Sequence, residues 1–163
     1  MDRNRRAHLI ARYKDGFREV SAALEGATDA ELDARPAPNK WTAREIVHHL
    51  ADSEMTSAVR LRLLVAEENA AIRAYDEKAF AKRLHYDRPI ATSLLAFQAA
   101  RGSTGDLLDR MTDTDFAKTG THPEHGQYSV DRWLEIYAEH AHNHAGQIRR
   151  ARASLGTMTI KQE

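Results

Sequence analysis

Apolar positions recur at helical period along most of the chain. Leu9, Tyr13, Phe17, Val20 and Leu24 step by four, four, three and four residues and predict a first helix. Gly16 lies inside that stripe, where glycine costs about 1 kcal/mol relative to alanine. Gly26, then Pro36 and Pro38, end the helix and open a loop. Thr42 with Glu45 three residues on has the spacing of a capping box, and Trp41 occupies the staple position before it. A second helix follows through Ile46, Leu50, Ser53, Ser57, Leu61 and Leu64. Residues 67–88 are a polar connection, with a short helix expected around 76–83. Pro89 marks the entry to a third helix, whose Leu94, Phe97, Leu108 and Met111 share a face with Arg101 and Thr104. Residues 120–128, with Pro123 and Gly126, read as a loop. A fourth helix begins at Ser129 or Asp131, reaches Leu155 and stops before Gly156.

No segment alternates strictly enough to predict a strand, and there is no internal repeat or sustained heptad pattern. Four amphipathic helices in one chain predict an all-α fold, a four-helix bundle. The connection between the second and third helices is long enough to cross the bundle, which would let those two helices run parallel. A chain of 163 residues without a composition break is expected to form one domain over 1–163.

Composition narrows the chemistry. Cysteine is absent, which removes disulfides, thiolate metal sites, iron–sulfur clusters and cysteine nucleophiles. Lys+Arg and Asp+Glu balance at 24 each, unlike the basic domains that bind nucleic acid. No apolar run has membrane-spanning length and no signal-peptide pattern occurs. The arginines near the start (Arg3, Arg5, Arg6, Arg12) are mixed with Asp2 and Asp15 and precede the first serine at Ser21, unlike a transit peptide. A cytoplasmic protein is expected. Glycine loops for phosphates, a G-x-S-x-G elbow, a calcium loop and the H-E-x-x-H zinc signature are all missing; Ala141 follows His140 where that signature needs glutamate.

Nine histidines remain, five of them in the last third of the chain. A helix advances about 100° per residue, so His140 and His144 lie within about 40° of each other and their rings can reach one ion. Both interrupt an apolar stripe formed by Trp133, Tyr137 and Ile148. Buried imidazoles need hydrogen bonds or a metal, and satisfied core histidines would meet that need as well as a metal site would. His142 lies about 160° from both and should be solvated. On the second helix His49 falls about 60° from Ile46, at the edge of the buried stripe, whereas His48 should face solvent. Three neutral imidazoles from two helices, with no fourth protein ligand, describe an open and therefore catalytic type of metal site. His122 and His125 read as part of a surface turn, and Trp41, Trp133 and Tyr137 as core or staple residues first and pocket walls second. Arg101 on an apolar face calls for a carboxylate partner.

The segment WTAREIVHHLADSE at 41–54 resembles the second helix of the DinB/YfiT-like metalloenzyme superfamily, and HAHNHAGQI at 140–148 resembles its last helix. Phe97 with Arg101 and the loop His122-Pro-Glu-His-Gly126 are also similar to members of that family. The resemblance runs from about residue 4 to residue 155 and makes the chain one DinB-like domain. It implies a four-helix bundle that binds a divalent ion through His49, His140 and His144. The sequence does not give the metal; imidazole donors suit zinc or nickel first, with iron or manganese as alternatives. It implies either hydrolysis or a transferase or isomerase reaction using a low-molecular-weight thiol.

Two readings of function follow. In the first, an open metal site activates water or a small thiol, with Asp52, Glu54 and Tyr137 as candidates to orient the reacting group and Asp52, about 60° from His49, best placed to support a ligand. In the second, the chain is a non-catalytic metal-binding bundle of the stress response. A cavity beside the histidines discriminates them. The expected partners are a small-molecule substrate, a thiol among the candidates, and a second copy of the chain as a homodimer, with no nucleic acid and no membrane.

Overall fold

The computed structural model describes residues 1–159, with side chains as far as Leu155. Four long helices carry the fold: α1 (Arg3–Leu24), α3 (Ala43–Ala66), α5 (Ala91–Leu108) and α7 (Val130–Thr159). Their starts follow from local chemistry. The Asp2 side chain accepts from the Arg5 N–H, and Thr42 and Glu45 form the expected capping box at the head of α3. The short helix expected near 76–83 is α4 (Glu77–Arg83), capped by Asp76. Two further short helices, α2 (Asp29–Asp33) and α6 (Asp113–Phe116), each begin with a capping box, on Thr28 and Thr112. One turn of helix is too short to display an apolar stripe, so periodicity passes over them. α7 does not stop before Gly156 but continues to Thr159.

The helices form two parallel pairs. Arg12–Glu139 and Glu19–Arg149 tie α1 to α7 in the same direction, and His48–Ser93 and Glu54–Arg101 do the same for α3 and α5. The two pairs run opposite to one another, since His49 meets His140 while Ser57, further along α3, meets Trp133 nearer the start of α7. α7 packs on α1 and α3, and α5 packs on the same two helices from the other side. The 67–90 connection accordingly crosses the length of the bundle, as its length suggested.

The sequence reading missed a small sheet. β1 (Ala70–Ala71) pairs in parallel with β2 (Thr119–His122), which pairs antiparallel with β3 (Gly126–Ser129). The stretch read as a loop is therefore mostly a β-hairpin. Strands of two to four residues cannot show alternation over the length a pattern needs. Gly120 permits the pairing, because a Cβ there would sit 2.4 Å from the Ala70 carbonyl oxygen. The sheet is minor beside the helices and covers the bundle end where α3 finishes and α7 begins.

Two apolar clusters fill the interior. One, at the sheet end, gathers Leu9, Leu61, Leu64, Trp133 and Leu134; the other gathers Val20, Ile46, Leu50, Phe97 and Ile148. Buried charge joins them. Arg101 donates to Glu54 Oε2 through Nε at 3.1 Å and Nη2 at 2.8 Å, and to the main-chain carbonyls of Tyr13 and Tyr137. The Tyr13 hydroxyl donates to the other Glu54 oxygen. Arg101 thus has the carboxylate partner its apolar surroundings demanded.

Candidate metal centre

α3 and α7 face each other across the bundle, and their facing stripes place three imidazoles together. His49 Nε2 lies 3.3 Å from His140 Nε2, and His144 Nε2 lies 3.2 Å from the same atom. Two imidazole nitrogens bonded at about 2.0–2.1 Å to one tetrahedral ion are separated by roughly 3.3 Å. Both contacts of His140 therefore have the spacing that one ion would impose, and all three donor atoms lie within 4.8 Å of one another. Facing nitrogens at this distance cannot all be satisfied by one another, since each contact accommodates only one proton. Among the described residues, Nδ1 of His49 and of His140 has no protein partner. The residues fit a divalent ion held by neutral nitrogen donors.

The surroundings keep the rings neutral. Burial, with the nearby His144, pushes the His49 pKa down to about 3. Burial pushes His144 down to about 4 against the opposing bond to Gln147, and burial with the two neighbouring imidazoles holds His140 well below the ordinary value. Gln147, one turn beyond His144, sets that ring: Nδ1–H donates to Gln147 Oε1 at 3.0 Å, which leaves Nε2 with its lone pair toward the centre. Trp41 closes one side, 4.6 Å from the His49 ring and stacked at 6.4 Å on His144. Tyr137 stands edge-on to His140 at 5.8 Å, and its hydroxyl accepts from Arg60 Nη1 at 3.1 Å. A cleft of about 1100 Å³ opens beside the group, lined by Trp41, Ile46, His144 and Gln147 among others.

Several residues behave otherwise than the helical wheel suggested. His48 is fully buried; its Nε2–H donates to the Arg88 carbonyl at 2.9 Å and Nδ1 accepts from Ser93 at 2.8 Å. The wheel measured it against one stripe only, whereas the segment entering α5 covers a second face of α3. His142 is half-buried and donates to the Arg12 carbonyl at 2.9 Å, because α1 packs against that side of α7. Asp52 does not support His49 but accepts from the Tyr86 hydroxyl at 2.7 Å, and Glu54 serves Tyr13 and Arg101. His122 is buried rather than on a surface turn, with Nδ1 accepting from the Glu124 N–H; it groups with Glu124 and His125 on the hairpin. Gln147 lies within the segment that carries the family resemblance, but the sequence assigned it no role, although its i, i+3 spacing from His144 was visible.

The DinB superfamily pattern matches residues 12–148. Among curated proteins the chain is similar to one of Oceanobacillus iheyensis named "Putative metal-dependent hydrolase", with 39% identity over 118 residues, 72% of this chain and 69% of that protein. It is also similar to "Putative metal-dependent hydrolase YfiT" of Bacillus subtilis, with 34% identity over 140 residues, 85% of this chain and 79% of that one. Among solved structures it superposes on YfiT from Bacillus subtilis with a TM-score of 0.88 and 31% identity, covering 96% of this chain and 90% of that one; that protein is described as "a probable metal-dependent hydrolase with an unusual four-helix bundle topology". With the pattern spanning most of the chain, and the histidine group inside the matched span, this chain belongs to the DinB superfamily.

Proposed function

We propose that the protein is a metal-dependent enzyme whose divalent ion is held by His49, His140 and His144, and that it attacks a small-molecule substrate with water or a small thiol. The observation that supports this reading is the convergence of three imidazoles, with His140 Nε2 at 3.3 Å from His49 Nε2 and 3.2 Å from His144 Nε2, beside an open cleft. A closed group of histidines would favour a structural or sensing role instead. The relatives named as metal-dependent hydrolases point the same way. When bound, such an ion supplies Lewis acidity that activates water or a thiol near neutral pH.

The chain's own residues do the rest. His49, His140 and His144 offer neutral donors, and Gln147 holds the third of them in register. Trp41 shields the donors and shapes the cleft wall. Tyr137, edge-on to His140, accepts from Arg60 at its hydroxyl oxygen, and burial raises its pKa and keeps the phenol protonated, which makes it a candidate donor to a charge that develops on the substrate. Asp52 and Glu54 are committed elsewhere, which leaves Tyr137 of the three candidates named from the sequence. The chain has no cysteine and no serine elbow, so the nucleophile comes from outside.

Elemental analysis of purified protein and a substrate screen with and without small thiols test the reading. One divalent ion per chain is expected, with activity lost in His140→Ala and in chelator. Activity surviving both treatments would exclude metal catalysis.

A further inference from the structure

The cleft beside the histidines carries a charge imbalance that the chain as a whole does not. Lys+Arg and Asp+Glu are equal over the sequence, yet among the described residues the cleft is lined by Arg35, Lys40, Lys78, Lys82 and Arg150 against Glu45 and Glu77. Arg35 and Glu45 are paired at 2.8 Å. Among the described residues, no carboxylate lies within ion-pairing distance of Lys40, Lys78, Lys82 or Arg150. The arginines of α1 behave differently: Arg3, Arg5, Arg6, Arg12 and Arg18 each face a carboxylate.

The unpaired cations come from three separate parts of the chain. Lys40 lies in the loop before α3, Lys78 and Lys82 stand one turn apart on α4, and Arg150 lies two turns beyond His144 on α7. All four are exposed, so water screens their mutual repulsion, and the positive potential they focus in the concave space favours an anion entering it. The same wall offers apolar surface from Pro36, Trp41, Ile46 and Ala81, and His144 opens onto it.

We propose that this cleft is the substrate subsite and that it takes a small molecule carrying a carboxylate or phosphate group beside an apolar portion. The anion would sit among Lys40, Lys78, Lys82 and Arg150, and the apolar part against Trp41, next to His144. This rests on reading the three histidines as the reaction centre. Charge focused by low-dielectric cleft walls both selects such a ligand and speeds its arrival.

Trp41 supplies the reporter, since the other tryptophan, Trp133, is fully buried. Phenylphosphonate, phenylacetate and benzyl alcohol are titrated against the fluorescence of the full-length protein stripped of metal, at low and at high salt. The two anions should bind about tenfold or more tightly than the alcohol at low salt and lose that advantage as salt screens the site. A Lys78→Gln/Lys82→Gln variant should weaken anion binding about tenfold while leaving metal content and helical circular dichroism unchanged. Benzyl alcohol binding as tightly as the anions, or the variant binding anions like the parent, would overturn the proposal. Because the titration needs no metal, its failure is distinct from a failure of the metal-site reading, which elemental analysis reports.

Discussion

At the scale of single residues, the proposed centre would depend on three ring nitrogens and the group that aims one of them. His49→Ala, His140→Ala and His144→Ala should each abolish stoichiometric metal binding as measured by elemental analysis after dialysis. Gln147→Ala removes the acceptor for His144 Nδ1–H but no ligand, so a titration with zinc should show affinity falling roughly 10- to 100-fold with stoichiometry kept. His48→Ala is the contrasting case. It should retain the ion and lose about 1–3 kcal/mol of stability, because the Arg88 carbonyl loses its donor and Ser93 loses the closer of its two partners. The same rings make the metal-free protein acid-sensitive. The unfolded chain's imidazoles take up protons below about pH 6.5, whereas His49 and His144 in the folded state resist until about 3 and 4. Stability should therefore fall as pH drops from about 6.5 toward 4, and thermal unfolding of chelator-treated protein should show it. A flat midpoint across that range would contradict the buried, neutral state of the rings.

At the scale of elements, α1 meets α5 and α7 at a point where only glycine fits. A Cβ at Gly16 would lie 2.2 Å from Arg101 Nη1 and 2.7 Å from the Ala141 Cβ. The glycine inside the first apolar stripe is thus the opening through which Arg101 reaches the Tyr13 carbonyl and Glu54. Gly16→Ala gains about 1 kcal/mol of helix propensity and incurs roughly 1–3 kcal/mol of overpacking. Net destabilisation is expected, because Ala141 is fixed on its helix and Arg101 is held by several bonds; urea unfolding would measure it. Glu54→Ala should be more severe, by about 3–5 kcal/mol, since it leaves the Arg101 guanidinium buried without its counter-charge. An alanine series, Ala138, Ala141 and Ala145, forms a second buried face of α7 that the stripe of Trp133, Tyr137 and Ile148 did not reveal.

At the scale of the whole molecule, the fold should not require the proposed ion. Two apolar clusters and the charge layer between them span the bundle without using the three donor nitrogens. Chelator should leave helical circular dichroism intact at about 25 °C, unlike a zinc finger. Binding should nevertheless add about 2.7 kcal/mol at a free ion concentration roughly a hundredfold above Kd, visible as a rise in the unfolding midpoint. Unfolding on removal of metal would show that the clusters alone do not hold the helices.

The four long helices were legible because each repeats its apolar spacing over many turns, and the head of α3 was legible because Thr42 and Glu45 satisfy each other locally. The grouping of His140 with His144 follows from one turn of helix, and His49 from its place at the edge of a stripe. These are relations between residues close in the chain, and helix geometry alone decides them. Relations across the chain were decided by packing. That His48 is covered depends on a segment some forty residues later, that Glu54 meets Arg101 depends on α3 and α5 running parallel, and the sheet exists because a crossover brings Ala70 beside Gly120. The cleft is likewise assembled from a loop, α4 and α7, whose cations are scattered in sequence and adjacent only in space. Periodicity records which face of an element is apolar; only the tertiary arrangement determines what covers that face and which charges are left facing one another.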